Sequence, residues 1–141
     1  MSTDDDGRDD GVAALEQAAW SMLPHAHCPY SGFQVGAALR DTDGKVWTGA
    51  NVENASYTLG LCAERVAIFH ALTHGARAFT HVVVATDTAT PTSPCGACRQ
   101  ILWEFARDAV IVMVARDGAR QELRMAELLP AAFDDRALVR S

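Results

Sequence analysis

The chemistry in this chain is concentrated in two short stretches, Cys62-Ala63-Glu64-Arg65 and Pro94-Cys95-Gly96-Ala97-Cys98-Arg99-Gln100, which together offer three thiols and one carboxylate. Cys95 and Cys98 stand three residues apart at a predicted helix start. Positions i and i+3 share a helix face, so both sulfurs can reach one ion. Pro94 disfavours helix in Ser93 and helps define where that helix begins. Cys62 opens a second predicted helix, and the partial positive charge at a helix N-terminus favours thiolates. Three protein ligands leave a tetrahedral zinc one open position, which a hydrolytic site needs and a structural site lacks. Three thiolates on Zn²⁺ leave one net negative charge, which weakens the ion as a Lewis acid. Arg65, three residues after Cys62, is placed to donate to the sulfurs and offset part of that excess. Glu64 is not counted as a ligand; in the first helical turn it can flank the open position and move a proton from water to a substrate.

On residue types alone two other readings stay open. A structural zinc site would draw a fourth ligand from Cys28, His25, His27, His70, His74 or His81, each of which also reads as a surface or core residue. A dithiol redox pair would use Cys95 and Cys98 but leave Cys62, Glu64 and Arg65 without a task.

The elements that must position these groups follow from periodicity. Val12, Leu15, Ala19 and Met22 recur at helical spacing, predicting a helix over 11–23 ended by Pro24. Phe33, Val35, Ala37 and Leu39 alternate with Gln34, Gly36, Ala38 and Arg40, the period of a strand. Asp43-Gly44 is a turn, and 46–50 returns as the second strand of a hairpin. The polar loop 51–60 leads into a helix over 62–74 that is apolar almost all round and is expected to be buried between layers. The runs 82–85 and 110–115 read as buried strands, with the second cysteine helix over 96–107 between them as a parallel crossover. Asp117-Gly118 marks a turn, 121–124 an edge strand, and 125–129 one helical turn stopped by Pro130. The expected architecture is α/β, a three-layer α/β/α arrangement around a mixed sheet of about five strands.

With 141 residues, 49% of them hydrophobic, the chain has the size of one domain, expected over 11–141 behind a disordered acidic tail at 1–10. That tail, with five aspartates against Arg8, carries most of the net charge of -6. The absence of bulk basicity argues against a nucleic-acid polymer as partner, although not against a neutral nucleoside. No apolar run approaches the roughly 20 residues that span a bilayer, and the acidic start is unlike a secretory signal. A soluble, cytoplasmic protein without membrane association is expected, a setting in which four cysteines point to metal or redox chemistry rather than disulfides.

The C-x-E followed by P-C-x-x-C is similar to the three-cysteine signature of zinc nucleobase deaminases. The likeness is long. The segments 29–39 (PYSGFQVGAAL), 51–57 (NVENASY), 62–65 (CAER), 94–100 (PCGACRQ) and 128–133 (LLPAAF) resemble the small, homotetrameric cytidine deaminases over about residues 12 to 134.

The resemblance implies a cytidine deaminase-like fold and one Zn²⁺ per subunit, held by Cys62, Cys95 and Cys98. It implies hydrolytic deamination of cytidine and 2′-deoxycytidine to uridine and 2′-deoxyuridine, with release of ammonia, in pyrimidine salvage. Activated water would attack C4 of the ring while Glu64 protonates N3 and then carries a second proton to the departing ammonia. Asn51 and Glu53 would orient the ribose 3′-hydroxyl, the Ala63 N–H would donate to O2 of the base, and Phe33 would wall the base. Ala55 and Tyr57 belong to the same substrate-binding set, and Phe133 would enter from a neighbouring subunit to complete the site. Phe33 also fits the apolar face of its strand, and Asn51 and Glu53 could simply order a loop. The nearest relative in chemistry, a deaminase of the cytosine-nucleoside antibiotic blasticidin S, shares the zinc motifs; Glu53 after Asn51 and Phe33 before Val35 fit the ordinary nucleoside enzyme better.

Overall fold

The computed structural model describes residues 10–138, so the acidic stretch expected to be disordered lies, but for Asp10, outside the described residues. Five strands form one mixed sheet, β1 (Val35–Asp41), β2 (Val46–Ala50), β3 (Phe79–Thr86), β4 (Val110–Val114) and β5 (Arg120–Arg124), in the order β2-β1-β3-β4-β5. Only β3 and β4 run parallel; the other neighbours are antiparallel. The β3–β4 connection carries helix α3 (Gly96–Phe105), as a parallel pair requires.

Helix α1 (Asp10–Ser21) covers one face, where Leu15, Ala19 and the following Leu23 pack on Ala38, Val83 and Val112. It stops earlier than its periodicity suggests. Pro24 has no N–H to extend the α pattern, and Leu23–His25 tighten into a 3₁₀ turn that places Leu23, rather than Met22, in the core. Helices α2 (Ala63–Thr73) and α3 cover the other face, with Ile68 and Leu102 against Leu39, Val82 and Ile111. Ile68, Leu102 and Leu15 are fully buried, each contributing roughly 1.5–3 kcal/mol through removal from water. The result is the expected three layers.

The strand predicted from Phe33 onward begins instead at Val35, and both of its faces are covered. Ala37 and Leu39 meet α2 while Ala38 faces α1. At Gly36 a Cβ would collide with the Ala19 carbonyl oxygen, so the missing side chain is what lets α1 lie this close. Gly49 does the same for α2, whose Ala63 carbonyl and Ala67 amide occupy the space a Cβ would take. These contacts fix α2 lengthwise on the hairpin.

One expectation is corrected. Helix α2 is not enclosed all round: Ala63, Ala67, Ile68 and Ala71 are buried, but Val66, Phe69 and Leu72 are only half-buried, because among the described residues nothing covers the outer side of the layer. The short helix α4 (Met125–Leu128) follows edge strand β5, whose alternating charges discourage further strand pairing. Among the described residues no helix is long and apolar enough to cross a membrane.

Candidate active site

Helices α2 and α3 begin side by side beyond the carboxyl end of β3, the end of an α/β sheet where ligands usually bind. Cys62 and Cys95 are the N-cap residues of the two helices, both with extended backbones, and Cys98 lies buried in the first turn of α3. Their three Sγ atoms all lie within 4.8 Å of one another. The Cys62 and Cys95 sulfurs are 3.6 Å apart. Two sulfurs bound to one tetrahedral zinc at 2.3 Å would stand about 3.8 Å apart, so the donor set fits that ion in both type and spacing.

Cys62 and Cys98 differ in how readily they ionise. A hydrogen bond from Cys98, opposed by burial and assisted by Arg65 and Cys95, brings the Cys62 thiol down to about 5. Cys98, as donor in that pair and buried, is pushed well up. Arg65 Nη2 reaches Cys62 Sγ at 3.8 Å and the Gly60 carbonyl at 3.5 Å, the placement expected for a residue that moderates thiolate charge.

Glu64 is 4% exposed. Burial raises its carboxyl to about 7, with the negative charge of Cys62 acting in the same direction. A carboxyl that gains and loses its proton near neutrality is suited to general acid and base work. It opens into a cavity of about 150 Å³ that it shares with Cys62, Ala63, Phe33 and Asn51. An adjoining cavity of about 220 Å³ shares Asn51 and Cys62 with the first and adds Glu53, Gly60 and Arg65. Beyond Glu53 a third, of about 380 Å³, is bounded by Tyr30, Ser31 and Asn54.

Two side chains build the walls between these spaces. Asn51 is buried between the ends of β1 and β2; its Oδ1 accepts the Val35 N–H at 2.9 Å and its Nδ2 donates to the Phe33 carbonyl at 2.8 Å. Glu53 Oε1 accepts the N–H groups of Tyr30 and Ser31 at 3.0 and 3.1 Å, and the Ser31 hydroxyl donates to Oε2. These bonds, that of Ser31 first, hold the Glu53 carboxyl below its usual range. Val52 exchanges both backbone bonds with Leu61, at 2.9 and 2.8 Å, which ties this loop to the approach of Cys62.

Residues 12–114 match the model of the cytidine and deoxycytidylate deaminase zinc-binding region. The chain belongs to this family. It is 50% identical over 109 residues to the cytidine deaminase of Halalkalibacterium halodurans, covering 77% of this chain and 83% of that one. It is 44% identical over 123 residues to the probable cytidine deaminase of Dictyostelium discoideum, covering 86% and 83%. The crystal structure of cytidine deaminase from Burkholderia pseudomallei superposes with a TM-score of 0.82 at 44% identity, over 86% of this chain and 98% of that one. Zinc is the metal of the family, and the three-cysteine cluster is the donor set this deaminase offers it.

Of the substrate residues expected in a deaminase of this family, the fold brings Phe33, Asn51 and Ala63 to Glu64, and Glu53 to the adjoining cavity. Phe33 stands outside the strand and is 43% exposed, so it is not a core residue within this chain. Ala55 is exposed in the loop and lines none of the three cavities. Phe133 lines none of them either, and is 60% exposed. The Tyr57 side chain lies outside the described residues.

The deaminase site also contains residues that the motifs did not single out. Val84 and Thr86 reach the Glu64 cavity from the end of β3, and Thr92 from the loop before Cys95. The alternation along β3 could have paired Thr86 with Val84, but nothing local marks Thr92. Arg99 clasps the cysteine loop, donating from Nε to the Pro94 carbonyl at 2.9 Å, from Nη2 to Ser93 Oγ at 2.7 Å and from Nη1 to the Leu128 carbonyl at 3.2 Å.

Proposed function

We propose that this chain hydrolyses cytidine and 2′-deoxycytidine to uridine and 2′-deoxyuridine, releasing ammonia, as an enzyme of pyrimidine salvage in the cytoplasm. The observation that carries this reading is the buried carboxyl of Glu64, poised near neutrality in one small cavity with Cys62, Phe33 and Asn51. Held by Cys62, Cys95 and Cys98, zinc would supply a Lewis acid that makes water acidic and nucleophilic. Glu64 would take one proton from the attacking water and pass it to N3 of the pyrimidine as the oxygen bonds to C4, then move the water's other proton from that oxygen to the amine as the C4–N bond breaks. Water and cytidine thus become uridine and ammonia with no external acid.

The two adjoining cavities match the two halves of a nucleoside. A flat ring enters between Phe33 and the Glu64 carboxyl, with the N–H of Ala63, free at the helix start, as donor to O2. The ribose occupies the space beside Glu53, whose carboxylate, held ionised, accepts from the 3′-hydroxyl with Asn51 alongside. Arg65 moderates the thiolate charge.

A homotetramer with one zinc per subunit, each site completed by its neighbours, is the assembly this reading carries. It is supported by the half-buried Val66, Phe69 and Leu72 on the outer side of α2 and by the exposed Phe133 and Leu59. Tyr57 and Ala55 belong to the closed site in that assembly. Residues 11–141 then form the catalytic domain, preceded by the acidic tail.

The test is direct. Zinc-loaded protein mixed with cytidine should bleach the cytidine absorbance band with equimolar ammonia release, and should turn over free cytosine and blasticidin S far more slowly. Silence on cytidine at one zinc per chain would overturn the proposal in favour of a structural zinc module. Preference for blasticidin S would reassign the substrate.

A further inference from the structure

Phe133 is a large aromatic side chain left in solvent on a segment that is otherwise tightly held. Its carbonyl accepts from Gln100 Nε2 at 2.8 Å. The next residue, Asp134, points the other way and is only 5% exposed. Asp134 Oδ2 accepts the indole N–H of Trp103 at 3.1 Å. Arg136 closes back on both oxygens through its backbone N–H, Nε and Nη2, at 2.7 to 3.1 Å. Arg107, stacked 4.9 Å from the Trp103 ring centre, adds a weaker charge contact to Asp134 at 3.9 Å.

Gln100, Trp103 and Arg107 lie on one face of α3 or just beyond its end, at spacings of three and four. The helix that supplies Cys95 and Cys98 therefore also grips the chain on either side of the Phe133 side chain. Between α4 and Phe133 the backbone passes through a left-handed Ala131, φ 54°, a conformation that persists only where the surroundings impose it. A large aromatic side chain 60% exposed on a backbone fixed by these bonds is arranged for a surface outside this chain. Ordering it in advance removes the entropic cost of fixing it on contact.

We propose that Asp134, through its bonds to Trp103 and Arg136, is a positioning residue that sets Phe133 for the nucleoside site of a neighbouring copy of this chain. The inference rests on the reading above, in which Phe133 completes a neighbour's site. Asp134 itself touches no substrate; its effect passes through the angle at which Phe133 leaves the α3 surface.

The experiment is a double-mutant cycle on the full-length, zinc-loaded enzyme, using Phe133→Ala, Asp134→Ala, the milder Trp103→Phe, which removes the indole donor while keeping a smaller aromatic ring on the core, and the pair Phe133→Ala/Asp134→Ala. Cytidine kinetics and sedimentation are read for each. Asp134→Ala and Trp103→Phe should raise KM about threefold to tenfold with kcat within about twofold and the assembly unchanged. The double variant should be no worse than Phe133→Ala alone, since without the ring there is nothing left to position. Should Asp134→Ala fold poorly, Trp103→Phe carries the comparison. If Phe133→Ala leaves KM unchanged, the reading of Phe133 itself fails. If Phe133→Ala raises KM but Asp134→Ala and Trp103→Phe do not, or their effects simply multiply with it, or they act by breaking the assembly, the positioning role is wrong.

Discussion

Asn51 holds Phe33 in place by its backbone: the side-chain amide donates to the Phe33 carbonyl at 2.8 Å and accepts from the Val35 N–H at 2.9 Å. The residue expected to orient a ribose thus also builds the wall against which a base would stack. Removing it leaves two polar backbone groups without their partner. Asn51→Ala should therefore cost about 1–3 kcal/mol of stability and also raise KM for cytidine. Urea unfolding and steady-state kinetics on one preparation check this; a loss of affinity with unchanged stability would mean that the clip contributes nothing.

Glu64 can be separated from the metal. Glu64→Gln preserves shape but cannot shuttle protons, so kcat should fall by at least about 10²-fold while zinc content stays at one per chain. Near-normal turnover would remove Glu64 from the proton path. Stripping the zinc from the parent with a chelator should abolish activity and readdition should restore it, the activity following metal content measured by atomic absorption.

Arg99 is a clasp whose planar fork matches three acceptors on Ser93, Pro94 and Leu128. An ammonium cannot reproduce that fork. Arg99→Lys should weaken zinc retention in a chelator competition by about 10-fold, comparable to the loss of other groups that orient metal ligands. Parent-like retention would show that the cysteine loop holds its shape unaided.

Asp41 anchors the β1–β2 hairpin, accepting from the buried Trp47 Nε1 and from the Asp43 and Lys45 N–H groups, each at 2.9 Å. The Trp47 bond, outweighing burial, holds its carboxyl below the ordinary 3.8. A carboxyl depressed in the folded state binds its proton more readily when unfolded. Its stabilisation is complete above the ordinary value and is lost as pH falls through the depressed one. Acid unfolding of Asp41→Asn should accordingly show a shallower decline in stability below about pH 4 than the parent. Identical slopes would place the acid sensitivity elsewhere.

Much of this molecule is legible in its residues. Helical spacing in 12–19 and alternation in 35–39 announce the elements because side chains there answer to a nearby sheet or helix face. The i, i+3 spacing of Cys95 and Cys98 brings two sulfurs within reach of one point by local geometry alone. The long motifs named the family before any coordinate.

Other features needed the tertiary structure, because they depend on chain segments meeting across long separations, which no local period records. Cys62 and Cys95, 33 residues apart, come within 3.6 Å only because α2 and α3 start at the same edge of the sheet. Thr92 reaches the Glu64 cavity from a loop without periodicity, and Asn51 turns back 18 residues to secure Phe33. The openness of one side of α2 was hidden for a related reason: an apolar helix reads alike whether its last face meets its own chain or another. Residue types and spacing announced the three thiols, the neighbouring carboxyl and the elements that bear them; the order of the sheet settled which of them share a cavity, since burial and convergence are properties of packing rather than of residue spacing.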